Sequence, residues 1–181
     1  MMTFKFNNHK ATIKTSVSAM LLMVSGLAPF SASACSNIGI SRVQDLSFGT
    51  FSATTSGDII VSTAGERTAT GGVVLVGGTV SEAQFQITGT AECTYSISLP
   101  TSTTIINTNT SHISTTVTNT STPITSGDQS MIITIYTKNP TAGTLDVAGN
   151  ETLHVGATLS ASKRQLEGAY SGVFTVTVNY N

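Results

Sequence analysis

The sequence predicts an all-β protein folded as an antiparallel β-sandwich, and three observations carry that expectation. Apolar and polar residues alternate with period two in segment after segment, the signature of a half-buried strand. Short clusters of glycine, serine, asparagine and aspartate separate those segments. Beyond the N-terminal stretch, no helix-length window holds an apolar period of about 3.6. Many short strands punctuated by turns read as two packed antiparallel sheets, each with one apolar face.

The segments follow in chain order. Phe85 and Ile87 alternate with Gln84, Gln86 and Thr88. Cys93, Tyr95, Ile97 and Leu99 alternate with Thr94, Ser96 and Ser98. Ile133 and Ile135 sit in the run MIITIYT, and Leu153, Val155, Ala157 and Leu159 alternate with Thr152, His154, Gly156 and Thr158. The predicted turns are Ser56-Gly57-Asp58, Gly71-Gly72, Gly77-Gly78, Ser126-Gly127-Asp128 and Gly149-Asn150. Residues 101–122 form a low-complexity Thr/Asn/Ser run, read as a strand pair or a long surface loop. The run 170–181 (YSGVFTVTVNYN) reads as one regular strand, with Phe174, Val176, Val178 and Tyr180 on its apolar face. Val173, Thr175, Thr177 and Asn179 fall on the other face.

Residues 1–34 have the layout of a secretory signal: Lys5, Lys10 and Lys14, an apolar stretch over 17–30, and a small-x-small site at Ala32-Ser33-Ala34. The apolar stretch is short for a membrane span, and none follows it. Cleavage leaves one domain, 35–181, beginning at Cys35. Of the eight Lys and Arg, five remain against nine Asp and Glu, so the mature chain is acidic and carries no basic surface suited to nucleic acid. Export places Cys35 and Cys93 in an oxidising compartment, where a disulfide between them is the default. The rival reading, lipidation of Cys35, meets Ala32 at the position where lipoprotein signals place Leu.

The sequence offers no catalytic constellation, no cofactor motif and no metal-ligand spacing. His112 and His154 stand apart from any ligand partner and read as surface residues. Asp58 and Asp128, each following Ser-Gly, invite a calcium reading but fit turns better. Sequons at Asn109, Asn119 and Asn150 arise readily by chance in so Thr-rich a chain.

Four stretches carry a likeness: Leu46-Ser47-Phe48-Gly49, GERTATGGVVLVGG, AQFQITGTAECTYSISLP, and LHVGATLSASKRQLEGAYSGVFTVTVNYN with its Gln165-x-x-Gly168-x-Tyr170 turn. Together they resemble a family of bacterial secreted proteins catalogued as a domain of unknown function, related to spore-coat-U-like and chaperone–usher fimbrial subunits. The resemblance implies an immunoglobulin-like sandwich lacking its last strand, completed by strand addition. The donor would be a periplasmic chaperone, then a neighbouring fimbrial subunit at an outer-membrane usher. The acceptor edge would be Phe174, Val176, Val178 and Tyr180, and the product a non-enzymatic pilus-like structure at the cell surface. Residues 36–45 (SNIGISRVQD), with Ile38 and Ile40 in alternation, form a short candidate donor. A self-complete secreted or envelope-associated module, binding glycan or another ligand on its Ser/Thr face, is the alternative.

Overall fold

The computed structural model describes residues 34–108, 129–163 and 165–181, all within one compact unit. Residues 1–33, with most of the expected signal segment, and His112, Asp128, Asn109 and Asn119 lie outside the described residues. So do the turn at 126–128 and most of the Thr/Asn run.

The described chain is all-β, and every strand pair is antiparallel. The strands are β1 (Gly39–Gln44), β2 (Ser47–Ala53), β3 (Gly57–Val61), β4 (Arg67–Ala69), β5 (Val73–Ser81), β6 (Ala83–Thr88) and β7 (Thr94–Ser98). After them come β8 (Thr103–Asn107), β9 (Ser130–Asn139), β10 (Ala142–Thr144), β11 (Asn150–Ala161), β12 (Tyr170–Ser171) and β13 (Thr177–Tyr180). One large sheet runs β1-β6-β11-β9-β8-β12, with β3 and β4 attached along β11. Two small sheets, β10-β7-β13 and β2-β5, make up the rest. The order β1-β6-β11-β9 in one sheet, with β7 and β13 in another, is that of strands A-B-E-D and C-F in immunoglobulin-like sandwiches.

Strand β11 organises the large sheet. One edge pairs with β9, and the other pairs first with β6 and then with β3. Gly156 sits at that handover, where a Cβ would run into the Val61 carbonyl and the Ser62 main chain. The absence of a side chain lets β3 join the edge that β6 leaves. Leu153, Val155, Ala157, Leu159 and Ala161 share the inner face and are almost wholly buried. They divide between two cores. One gathers Leu153 and Val155 with Ile87, Tyr95, Ile97 and Leu145. The other gathers Ala157, Leu159 and Ala161 with Ile59, Ile105, Met131 and Ile133.

Two expected alternations are rearranged. In β9, Ile133 is buried but Ile135 is 57% exposed, because the ladder to β11 slips between Thr158 and Leu159. The slip turns the strand over, and Tyr136 becomes the inward residue that packs on both cores. Gly77-Gly78, expected as a turn, lies inside β5 and forms part of a bulge against β2. Gly71-Gly72 and the bend before Asn150 are turns as expected, while Asp58 lies within β3 and accepts a bond from Ser160 Oγ at 2.8 Å.

The segment between β11 and β12 ends in a tyrosine corner. Tyr170 Oη donates to the Leu166 carbonyl at 2.6 Å and accepts from Gln165 Nε2 at 2.9 Å. Such a bond back to the chain just before strand F is a hallmark of this sandwich class. Beyond the corner, the chain does not continue as one strand. Tyr170–Ser171 pairs with β8 in the large sheet, then the chain crosses over, and Thr177–Tyr180 pairs with β7 in a small one.

Cys35 and Cys93 are bonded to each other, which sets aside lipidation of the Cys35 sulfur. Beside the bond, Tyr180 Oη donates to the Ser36 carbonyl at 3.2 Å and accepts from the Thr90 amide at 2.6 Å. Thr90 Oγ1 donates to the same carbonyl at 2.9 Å.

The expected outcome of Tyr170→Phe is a loss of about 1–3 kcal/mol in urea unfolding, the net worth of the two hydrogen bonds that its hydroxyl makes. Thiol labelling of the denatured, unreduced mature protein should find no free cysteine. Because the bond closes a separation of 58 residues, replacing both cysteines with Ser should cost about 4 kcal/mol in the same measurement.

Candidate functional site

The second layer of the sandwich is interrupted. The β2-β5 pair covers one core and β10-β7-β13 covers the other, and a groove of about 1120 Å³ lies between β2 and the chain around β12. One wall is the whole of β2, Ser47–Ala53. The opposite wall is the stretch 165–172 followed by Phe174. The floor consists of Ile105, Met131, Ile133 and Leu159 from the inner face of the large sheet. Arg42 and Asp45, paired at 2.7 Å, and Lys163 and Glu167 add charge to a rim that also carries Ser47, Thr50, Ser52 and Gln165.

Each wall is built from a local sequence device. In β2, Phe48 and Phe51 both pack on the core although they stand three positions apart, an odd spacing for one strand face. Gly49, at φ 67°, allows this by taking a left-handed conformation inside the strand. The residue on β2 that would break a simple alternation is therefore the one that points both aromatics at the groove floor. On the other wall, the tyrosine corner fixes where the chain enters β12, and the Asn107 amide donates to the Glu167 carbonyl at 3.1 Å. Seven residues of strand span about 23 Å, so the β2 wall offers a long edge.

Phe174 joins groove and core. Its ring meets Phe85 edge-on at 6.1 Å and Tyr136 in a tilted contact at 5.1 Å. Of the four residues on the terminal apolar face, only Phe174 lines the groove. Val176, Val178 and Tyr180 lie beside it, half-buried against the core below β7. The alternation of this run is real, since Val173, Thr175, Thr177 and Asn179 are all exposed. β13 is the edge strand of its sheet. The candidate donor 36–45 is already in use: Gly39–Gln44 pairs with β6 and Ile38 packs on the core, so the segment is an internal strand and not a free arm.

The groove wall β2 was not found by alternation, and its only sequence signal is the Leu46-Ser47-Phe48-Gly49 motif. His154, expected as an isolated surface residue, is half-buried, and its Nδ1 lies 3.3 Å from Glu82 Oε1. Gln84 Nε2 donates to the same oxygen at 2.7 Å. Gln44 Nε2 donates to the Glu82 carbonyl, tying β1 to this cluster. The described residues contain no group of acidic, histidine and cysteine side chains arranged to hold a metal. No helix among them is long and apolar enough to cross a membrane.

Fold and groove together define a disulfide-bonded, all-β sandwich-like domain whose second layer is open between two strands. Over residues 38–180 the chain matches the family described as a domain of unknown function, DUF4402, and it belongs to that family. No curated protein and no solved structure matches it.

The Gln84 bond, helped by His154 and opposed by burial, holds the Glu82 carboxyl below its ordinary value of 4.5. A depressed folded-state pKa stabilises above the unfolded value and ceases to do so as pH falls through the folded one. Urea midpoints should therefore drop for the native protein as pH is lowered from about 4.5. Glu82→Gln should start lower at neutral pH and lose less over that acid limb.

Proposed function

We propose that this chain is a non-enzymatic structural subunit of an exported, fimbria-like surface assembly, completed by a strand added into its groove. The observation that carries this reading is the groove itself, bounded by β2 on one side and by 165–172 with Phe174 on the other, over an apolar floor. In an immunoglobulin-like sandwich the strand that follows F lies beside it in the same layer, and among the described residues no strand fills the space between β2 and the Phe174 wall. An extended segment there would gain main-chain bonds from an edge and pockets for alternate side chains. The resemblance to spore-coat-U-like and fimbrial subunits points the same way, and its motifs Leu46-Ser47-Phe48-Gly49 and Gln165-x-x-Gly168-x-Tyr170 both line this groove. A disulfide suits the periplasm and cell surface. The partners of this reading are a periplasmic chaperone, an outer-membrane usher and other subunits, and the donor strand comes from one of them.

The test uses the purified mature chain and a synthetic peptide alternating Val and Thr. A ligand held a hundredfold above its Kd stabilises by about 2.7 kcal/mol, which raises the thermal midpoint of a domain this size by about 5–10 °C. A peptide of the same composition in scrambled order should raise it less. Phe48→Asp and Phe51→Asp should abolish the gain by placing a carboxylate on the groove wall. A mature domain that melts cooperatively and ignores the peptide would transfer the function to the self-complete binding module.

A further inference from the structure

We propose that Arg67 is the positioning residue of the groove: by holding two carbonyls of β2 and one of β5, it fixes the wall against which an added strand pairs. The inference rests on the strand-addition reading above. Arg67 lies on the short strand β4, which pairs with β3 and not with β2. Its guanidinium nevertheless reaches across, with Nη1 2.8 Å from the Phe48 carbonyl, 3.2 Å from that of Thr50 and 3.1 Å from that of Gly77. All three carbonyls belong to the stretch where the β2-β5 ladder slips. Phe48 is opposite Val80, Thr50 opposite Gly77 and Phe51 opposite Leu75, so three steps along β2 answer five along β5. Where a ladder slips, carbonyls lose their regular partners, and a partly buried carbonyl without a donor is costly.

A guanidinium suits this place because it is planar and stays charged at every relevant pH, and the two N–H groups of a single nitrogen, Nη1, are shared among the three carbonyls. The ion pairs among the described residues are Arg42 with Asp45 and His154 with Glu82. Arg67 therefore spends its charge on main-chain oxygens. The approach is close enough that a Cβ on Gly49 would collide with the Arg67 guanidinium and the Gly77 carbonyl. Gly49, held at a positive φ, and Arg67 thus form one device. Without the guanidinium, the Phe48 and Thr50 carbonyls must find other donors. Re-registering β2 on β5 would supply them, and that movement displaces Phe48 and Phe51 from the groove floor.

The experiment measures two things on the mature protein: affinity for the Val/Thr peptide, and amide hydrogen exchange across Ser47–Ala53. Arg67→Met is compared with Ile87→Val, a change in the other core, where Ile87 is fully buried. Ile87→Val should lower the melting temperature and leave peptide affinity and β2 exchange as they were. Arg67→Met should weaken peptide binding by at least about tenfold, the scale of a lost charge-assisted contact, and should speed exchange in β2 selectively. Arg67→Lys, which keeps the charge without the planar group, should fall between. Binding within about twofold of the native protein, together with unchanged β2 exchange, overturns the proposal. If the Met variant does not fold, the Lys variant is judged by the same two readouts. A native protein that binds no peptide counts against the strand-addition reading alone, and exchange in β2 then decides the role of Arg67.

Discussion

The inner face of β11 is the constraint on which the rest of the structure depends. A single strand of twelve residues presents five inward apolar side chains and pairs with three other strands. Its length is what allows one continuous sheet to face two separate covers. Leu153 and Val155 are sealed by β7 and β13, and Ala157, Leu159 and Ala161 face the β2-β5 pair. Small side chains at Ala157 and Ala161 leave room on that second side, where half-buried aromatics at Phe48, Phe51 and Tyr170 close in from the walls. The groove lies on that second side, between β2 and the segment 165–172.

The difference in burial between the core and the aromatics along the groove expresses the same point energetically. Ile87, Tyr95, Leu153 and Val155 have no exposure at all. Around the groove, Phe48, Phe51 and Phe174 keep part of their surface in water. Covering a Phe or Val side chain fully is worth roughly 1.5–3 kcal/mol, comparable with a large share of the 5–15 kcal/mol that holds a typical domain together. A strand laid in the groove would thus act on the least settled part of the protein, and the well-packed part would serve as its foundation.

The sequence revealed the strands whose alternation is unbroken and concealed those that contain an irregularity. β6, β7 and β11 follow the period-two pattern through, and their inward residues are the ones it picks out. β2 does not, because Gly49 lets Phe48 and Phe51 face the same way across an odd spacing. In β9 one slipped residue exchanges Ile135 for Tyr136 at the core. Gly77-Gly78 has the composition of a turn, and only the opposing strand reveals it as a bulge. The terminal run shows its faces correctly but not its division, since the side-chain pattern is the same whether one sheet or two receive the main chain. Contacts between distant positions, such as Glu82 with His154 or Arg67 with Phe48, leave no local trace. The disulfide was legible for a simpler reason: a chain with two cysteines allows one intramolecular pairing.

The bond from Tyr180 to the Ser36 carbonyl spans 144 positions, so the domain joins nearly its first residue to nearly its last. Contacts of such long range slow folding, because the loop they close must be ordered before they contribute. Until Phe174, Val176, Val178 and Tyr180 have been synthesised, the core beneath β7 lacks its lid. Closure of that half of the core is therefore a long-range event, which local structure around β7 alone cannot supply.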